Sequence, residues 1–179
     1  IDKGPVVQIE GLPEPDGRRE VLQDRDGGVS WAGPMAVLTS AYSASASEIF
    51  AGALQDYGRA VIIGSEATHG KGTVQTVLDL GPLTARVAGA SDRPVGALKY
   101  TISQFYRVTG KSTQRVGVVP DIILPSPFDG LERREGDLKN ALPYNEIEAA
   151  RFTPVAASPA DIQALRKQSA ARIADSSAF

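Results

Sequence analysis

The chain contains no cysteine, which excludes disulfides, thiolate metal sites and a cysteine nucleophile. Histidine occurs once, as His69, so a Ser-His-Asp triad has a single candidate base and no site can draw on two histidine ligands. No apolar run approaches the ~20 residues that a membrane-spanning helix requires. Neither sign of charge dominates: the formal net charge is -2 and the pI about 5.5. No strongly basic face is needed to explain such a balance, and nucleic acid is not expected as a partner. An initiator methionine is also lacking. The start at Ile1-Asp2-Lys3-Gly4 reads as a trimmed or processed piece, so the want of an export signal carries little information about compartment. The scarcity of histidine turns attention to lysine as a base.

What is present is enough for one core of ordinary size. The 179 residues are 42% hydrophobic and 22% charged, a globular rather than a disordered composition. Val6 to Glu10 alternates as a short strand, and Gly11 to Gly33, with Pro13, Pro15, Gly17, Gly27 and Gly28, reads as a loop or long hairpin. Ala36 to Thr39 is an apolar run expected to form a buried strand. From Ser47 to Tyr57 the apolar positions Ile49, Phe50, Ala53, Leu54 and Tyr57 recur at helical spacing, and Gly58 supplies a stop. Ala60 to Ile63 follows as a strand, completing a strand–helix–strand order that predicts a parallel crossover unit. Further strands are expected over Thr73–Leu80, Leu98–Val108 and, bent by Pro120, Gly117–Ile123. Gly81–Pro94 fits a hairpin or an insertion equally. Beyond Pro125 the sequence turns polar, with a brief helix expected over Asn145–Arg151. A clearer helix is expected from Ser158, where Ser158-Pro159-Ala160-Asp161 supplies a cap, a first-turn proline and an acid. Its apolar stripe is Ile162, Leu165 and Ile173. This tail reads as a helical appendage outside the main sheet.

Two short segments carry chemistry. In Ser43-Ala44-Ser45-Ala46-Ser47-Glu48, Ser45 and Glu48 have capping-box spacing, which puts Ser45 at the start of the helix. A capping serine and a nucleophile occupy the same place. At a strand-to-helix turn the hydroxyl projects, and the following backbone N–H groups and the helix dipole favour an oxyanion. Only a base distinguishes the two roles. Lys71, in Thr68-His69-Gly70-Lys71-Gly72-Thr73-Val74-Gln75, is the candidate. A lysine acts as a general base only when neutral, a state favoured by desolvation and a nearby helix N-terminus. Gln75, four residues further along a strand, is expected on the same side as Lys71 and able to orient its ammonium. A phosphate-binding loop does not fit, because Ser65 stands where the first glycine of that pattern falls and Gly72 follows the lysine. His69 is the competing base; two residues from Lys71, it faces the same side if the loop is extended.

The stretch SASASEIFAGALQDYGRAVIIG followed by THGKGTVQ resembles the central signature of the tail-specific proteases, a Gram-negative branch of the C-terminal processing peptidases (peptidase family S41). The likeness continues through IDKGPVVQIEG, YTISQFYRVTGKSTQRVGVVPDIILPS and NALPYNEIEAARF. It departs at the lysine loop: Gly64 to Lys71 is one residue longer than the usual pattern, lacks its proline and has His69 in the aromatic position.

The resemblance implies an α/β fold of the crotonase/ClpP-like type, with a peptidase core over residues 1–125 and a linker with a C-terminal helical extension over 126–179. It further implies Ser45 as nucleophile, Lys71 as base, Gln75 as its support and the backbone N–H of Ala46 as one oxyanion donor, with no metal or cofactor. The activity implied is that of a serine endopeptidase on exported proteins with apolar C-terminal tails. Also implied are a PDZ domain in the full-length protein, a lipoprotein adaptor, and a periplasmic, inner-membrane-associated location. On the family pattern the PDZ domain and a second, glycine-borne oxyanion donor lie upstream of Ile1. The alternative is a catalytically silent relative serving as a scaffold or binding module.

Overall fold

A computed structural model describes residues 1–11, 19–83, 95–127, 129–131, 134–155 and 162–176. Its first sheet is antiparallel, with strand order β2-β1-β6-β5. β1 (Gly4–Gly11) pairs with β2 (Arg19–Asp24) on one side and β6 (Ala97–Tyr106) on the other. The antiparallel pairing of β1 with β2 agrees with a hairpin, one of the two forms expected of Gly11–Gly33; residues 12–18 lie outside the described residues. β6 continues outward to β5 (Thr73–Asp79), with a register shift at Val74/Gln75. The buried end of β6, Phe105 and Tyr106, lies against β1, whereas its outer half with Leu98 and Tyr100 is exposed.

The second sheet is parallel, with order β3-β4-β7, formed by β3 (Ala36–Thr39), β4 (Val61–Gly64) and β7 (Ile122–Ile123). Between β3 and β4 runs helix α1 (Ala46–Asp56), so the expected parallel crossover unit is present. The expected burial of β3 is not. It is an edge strand of this sheet, and Leu38 is 78% exposed; an apolar run cannot by itself tell a central strand from an edge. The strand expected over Gly117–Ile123 is limited to its last two residues.

α1 touches both sheets and fixes their relation. Its buried face is made of Glu48, Ala51, Gly52 and Ala53, and Ala51 packs with Ala60, Ile62 and Val118 in the core. Of the apolar stripe read from the sequence, Ala53 and Tyr57 are buried and Leu54 packs against this core, whereas Phe50 is 56% exposed. Small residues let the helix approach closely, and the Arg107 side chain lies across Gly52. At the far end, Tyr57 Oη donates to the Pro5 carbonyl (2.9 Å). Arg107 forms a bidentate pair with Asp56, Nε to Oδ2 at 3.0 Å and Nη2 to Oδ1 at 2.5 Å.

Residues 145–151 are extended rather than helical. Their backbone is bonded to the first sheet's neighbouring loop: Ile147 N–H donates to the Gly110 carbonyl (2.9 Å) and Ala150 N–H to that of Val108 (2.8 Å). Those bonds replace the i to i−4 bonds a helix would make. Helix α2 (Ile162–Ala174) follows and contacts β7; its less exposed positions are Ile162, Leu165, Ser169 and Ile173. The residues expected to cap it, 158–161, and most of Gly81–Pro94 lie outside the described residues. Among the described residues no helix is long and apolar enough to cross a membrane.

Candidate active site

Ser45 stands at the N-cap of α1 with φ 57 and ψ -114, a left-handed backbone that a non-glycine residue rarely adopts and that costs of order 1–3 kcal/mol. Such strain persists only where neighbours over-determine it. Here the neighbour is Glu48. Ser45 and Glu48 hold reciprocal capping-box positions, and Ser45 N–H donates to Glu48 Oε2 at 2.8 Å. Ala46 opens the helix, so its N–H is one of the helix-start donors without an intrahelical carbonyl.

Glu48 does far more than cap. It is 0% exposed, and its carboxylate accepts four hydrogen bonds. Oε1 takes Thr68 Oγ1–H (2.6 Å) and Gly70 N–H (2.7 Å), and Oε2 takes Ser45 N–H (2.8 Å) and Lys71 N–H (2.9 Å). One oxygen therefore holds the backbones of both Ser45 and Lys71. A further bond, His69 N–H to the Ser43 carbonyl (3.0 Å), stitches the same two loops together. Burial pushes the Glu48 carboxyl above the usual carboxylate range, against the lowering effect of the bonds from Thr68, Gly70, Ser45 and Lys71. The charge is tolerated there because every donor around it is satisfied and the start of α1 is close by.

The lysine loop is held from its other side too. The Gly70 carbonyl accepts Arg115 N–H (2.7 Å), and Gly72 N–H donates to Gln114 Oε1 (2.8 Å). Gly70 has φ +87, and a Cβ there would lie 2.9 Å from the Arg115 carbonyl carbon; one on Gly72 would lie 2.7 Å from Gln114 N. Both glycines are required by this close passage of backbone against backbone.

The side chains are less committed than the backbones. Among the described residues no hydrogen bond joins Ser45 Oγ to Lys71 Nζ, or Lys71 to Gln75. Gln75 is exposed on β5, an edge strand. Because β5 begins at Thr73, Lys71 precedes the strand, and the two-residue alternation does not reach it. His69 points elsewhere: its Nε2 faces Glu135 Oε2 at 3.7 Å, and its carbonyl accepts Glu135 N–H at 2.9 Å. Thr68, Gln114 and Glu135 were not singled out by sequence reasoning, and Glu48 only as a cap. Its position was the available clue, since it shares a helix face with Ala51 and Gly52, three and four residues on.

A mixed α/β scaffold that presents a strained serine at a helix start beside a glycine-flanked lysine has the architecture of a serine peptidase core. Comparison with known families agrees. The model of peptidase family S41 matches residues 1–124, and that of the C-terminal domain of tail-specific protease (DUF3340) matches residues 128–179. The chain belongs to peptidase family S41. It is 43% identical over 155 residues to a tail-specific protease of Haemophilus influenzae, covering 87% of this chain and 21% of that protein. A carboxy-terminal-processing protease of Bartonella bacilliformis is 39% identical over 128 residues, covering 72% and 26%. The photosystem II D1 C-terminal processing protease shares the fold with a TM-score of 0.54 and 31% identity, over 73% of this chain and 31% of that one. The chain thus spans about a fifth to a third of these relatives' lengths.

Proposed function

We propose that this chain carries the catalytic core of a serine endopeptidase in which Ser45 is the nucleophile and Lys71 the general base. The observation that carries the reading is the single buried oxygen of Glu48, which holds the strained Ser45 backbone and the Lys71 backbone at the start of α1. A helix cap alone does not require a lysine loop fastened to the same carboxylate.

In this mechanism neutral Lys71 takes the Ser45 Oγ proton as the oxygen attacks the scissile carbonyl carbon. The resulting oxyanion lies against the Ala46 N–H and the positive end of α1. Lys71 then gives its proton to the departing amine, leaving an acyl-enzyme on Ser45, and repeats the cycle with water to release the new C-terminus. Gln75 orients the ammonium once substrate is in place; catalytic hydrogen bonds are often long before substrate binds and tighten in the complex.

The substrates we assign are exported polypeptides recognised by apolar C-terminal tails, in the periplasm or at the inner membrane, with a PDZ domain and a lipoprotein adaptor as partners. The names of the relatives, tail-specific and carboxy-terminal-processing proteases, support the substrate class. We place the peptidase core over residues 1–125 and the helical extension over 126–179.

The absence of a Ser45–Lys71 side-chain bond favours one rival, a silent relative acting as a scaffold. The test is cleavage of a tailed polypeptide by the full-length protein, together with labelling by a serine-reactive probe and peptide mapping. Ser45→Ala and Lys71→Ala should each abolish cleavage without unfolding, and the label should map to Ser45. Cleavage surviving Lys71→Ala removes the dyad. Loss with His69→Ala alone makes histidine the base, and no cleavage by the native protein leaves the scaffold.

A further inference from the structure

Lys71 is gripped on both sides. Its own N–H and that of Gly70 are bonded to Glu48, which belongs to α1. The opposite grip comes from residues 114 and 115. Arg115 N–H holds the Gly70 carbonyl, and Gln114 Oε1 holds Gly72 N–H, so the peptide groups flanking Lys71 are fixed one residue before and one residue after it.

Gln114 is 0% exposed and every polar atom of its amide is used. Oε1 accepts Gly72 N–H at 2.8 Å; Nε2 donates to Glu135 Oε1 (3.2 Å) and to the Leu142 carbonyl (3.2 Å). The last two partners lie in the segment matched by the tail-specific C-terminal domain. An amide is the one uncharged side-chain group with an acceptor and two donors on one rigid plane. Glutamate in its place presents an acceptor where two acceptors already stand, and leucine leaves Gly72 N–H buried and unpaired. Around this amide the C-terminal segment is fastened directly to the loop as well: Glu135 N–H to the His69 carbonyl (2.9 Å) and Arg134 Nη2 to Glu66 Oε2 (3.0 Å).

We infer that Gln114 is a positioning residue for Lys71 and that, through it, the head of the C-terminal domain (Glu135 and Leu142) sets the place of the catalytic base. The C-terminal domain is then part of the active site's support, and a chain cut before Arg134 loses the two bonds that orient the Gln114 amide in its grip on the lysine loop. The inference rests on Lys71 being the base.

The test uses the full-length protein and steady-state cleavage of a tailed peptide, with unfolding midpoints measured for every variant. Gln114→Leu and Glu135→Ala should lower kcat, by about 10- to 100-fold and by several-fold respectively, since a displacement of about 1 Å at a catalytic group is worth up to ~10²-fold. KM should stay within about twofold, because no substrate-contacting group is altered. Glu135→Gln, which retains the Oε1 acceptor, should restore kcat to near the native value. A structural role alone would lower kcat only as far as the folded fraction falls and would not distinguish Glu135→Ala from Glu135→Gln in folded protein. Native kcat in folded Gln114→Leu overturns the inference. If Gln114→Leu does not fold, native kcat in Glu135→Ala overturns it, as does a failure of Glu135→Gln to restore the rate. Lys71→Ala is run alongside: cleavage retained there defeats the dyad itself, whereas cleavage lost there with native rates in the other variants defeats only the coupling.

Discussion

Replacing Glu48 by glutamine conserves volume and changes one oxygen into an amide nitrogen. Whichever way the amide turns, its NH2 then faces two of the four donors that now meet a carboxylate. In one orientation these are the Ser45 and Lys71 N–H groups, in the other Thr68 Oγ1–H and Gly70 N–H. A buried donor left unpaired costs about 1–3 kcal/mol, so the gross penalty is about 2–6 kcal/mol. Removing a buried charge offsets part of it, and the net loss expected near neutral pH is about 2–4 kcal/mol. The pH dependence has a definite sign. The folded Glu48 carboxyl is raised above its unfolded value, first by burial. Its contribution is therefore complete below the unfolded carboxylate range and is lost as pH rises through the folded value. Glutamine does not titrate there, so the stability gap between native and variant protein should narrow as pH rises from the unfolded carboxylate range, about pH 4, through the raised folded value. Urea unfolding followed by far-ultraviolet circular dichroism measures it; the single tryptophan, Trp31, is 58% exposed and a poor reporter of the core. A loss below about 0.5 kcal/mol, the range of an indifferent surface change, or a gap that widens with pH, refutes the reasoning.

Two further outcomes follow from the geometry. Asp56→Ala leaves Arg107 without its bidentate partner in a site where the two side chains are only 6% and 15% exposed, and should cost about 3–5 kcal/mol in urea unfolding; a loss under 1 kcal/mol would show that water replaces the carboxylate. The Tyr144 phenol is pushed up to about 12, first by burial and then by its hydrogen bond to Glu146 and that residue's charge. Tyr144→Phe should accordingly delete the last step of an ultraviolet phenolate titration, and deletion of a step near the ordinary value of about 10 would contradict the assignment.

Local pattern carried much of the architecture. Helical spacing over Ser47–Tyr57 found α1, the apolar run Ala60–Ile63 found β4, and alternation over Leu98–Val108 found β6, each within about two residues of its observed bounds. These signals arise within the element and need no knowledge of neighbours. The misreadings all depended on neighbours. Leu38 is exposed because β3 stands at a sheet edge, Phe50 because Ala51 and Gly52 face the core, and residues 145–151 are extended because Val108 and Gly110 offer carbonyls to them. The site divides in the same way. Ser45 and Lys71 were legible as a cap and a glycine-flanked cation, each with a motif a few residues long. Glu48 binding Thr68 spans 20 positions and Gln114 binding Leu142 spans 28; no local period encodes either.

That division bears on what separates a capping serine from a nucleophile. Sequence offered only the capping box, whose acid normally answers one backbone donor at the helix start. Here the same acid is fully buried and answers four, three of them from the lysine loop. A cap needs no such arrangement, because water or the serine itself can satisfy helix-start donors at lower cost than a buried charge. The expense of desolvating Glu48 is explicable if its purpose is to hold two loops in register, and the strained backbone of Ser45 is sustained by the same bond. The lysine loop is in turn closed from the far side by Gln114 and the C-terminal segment. Serine and lysine are therefore positioned through their backbones, an arrangement that supports the dyad we propose.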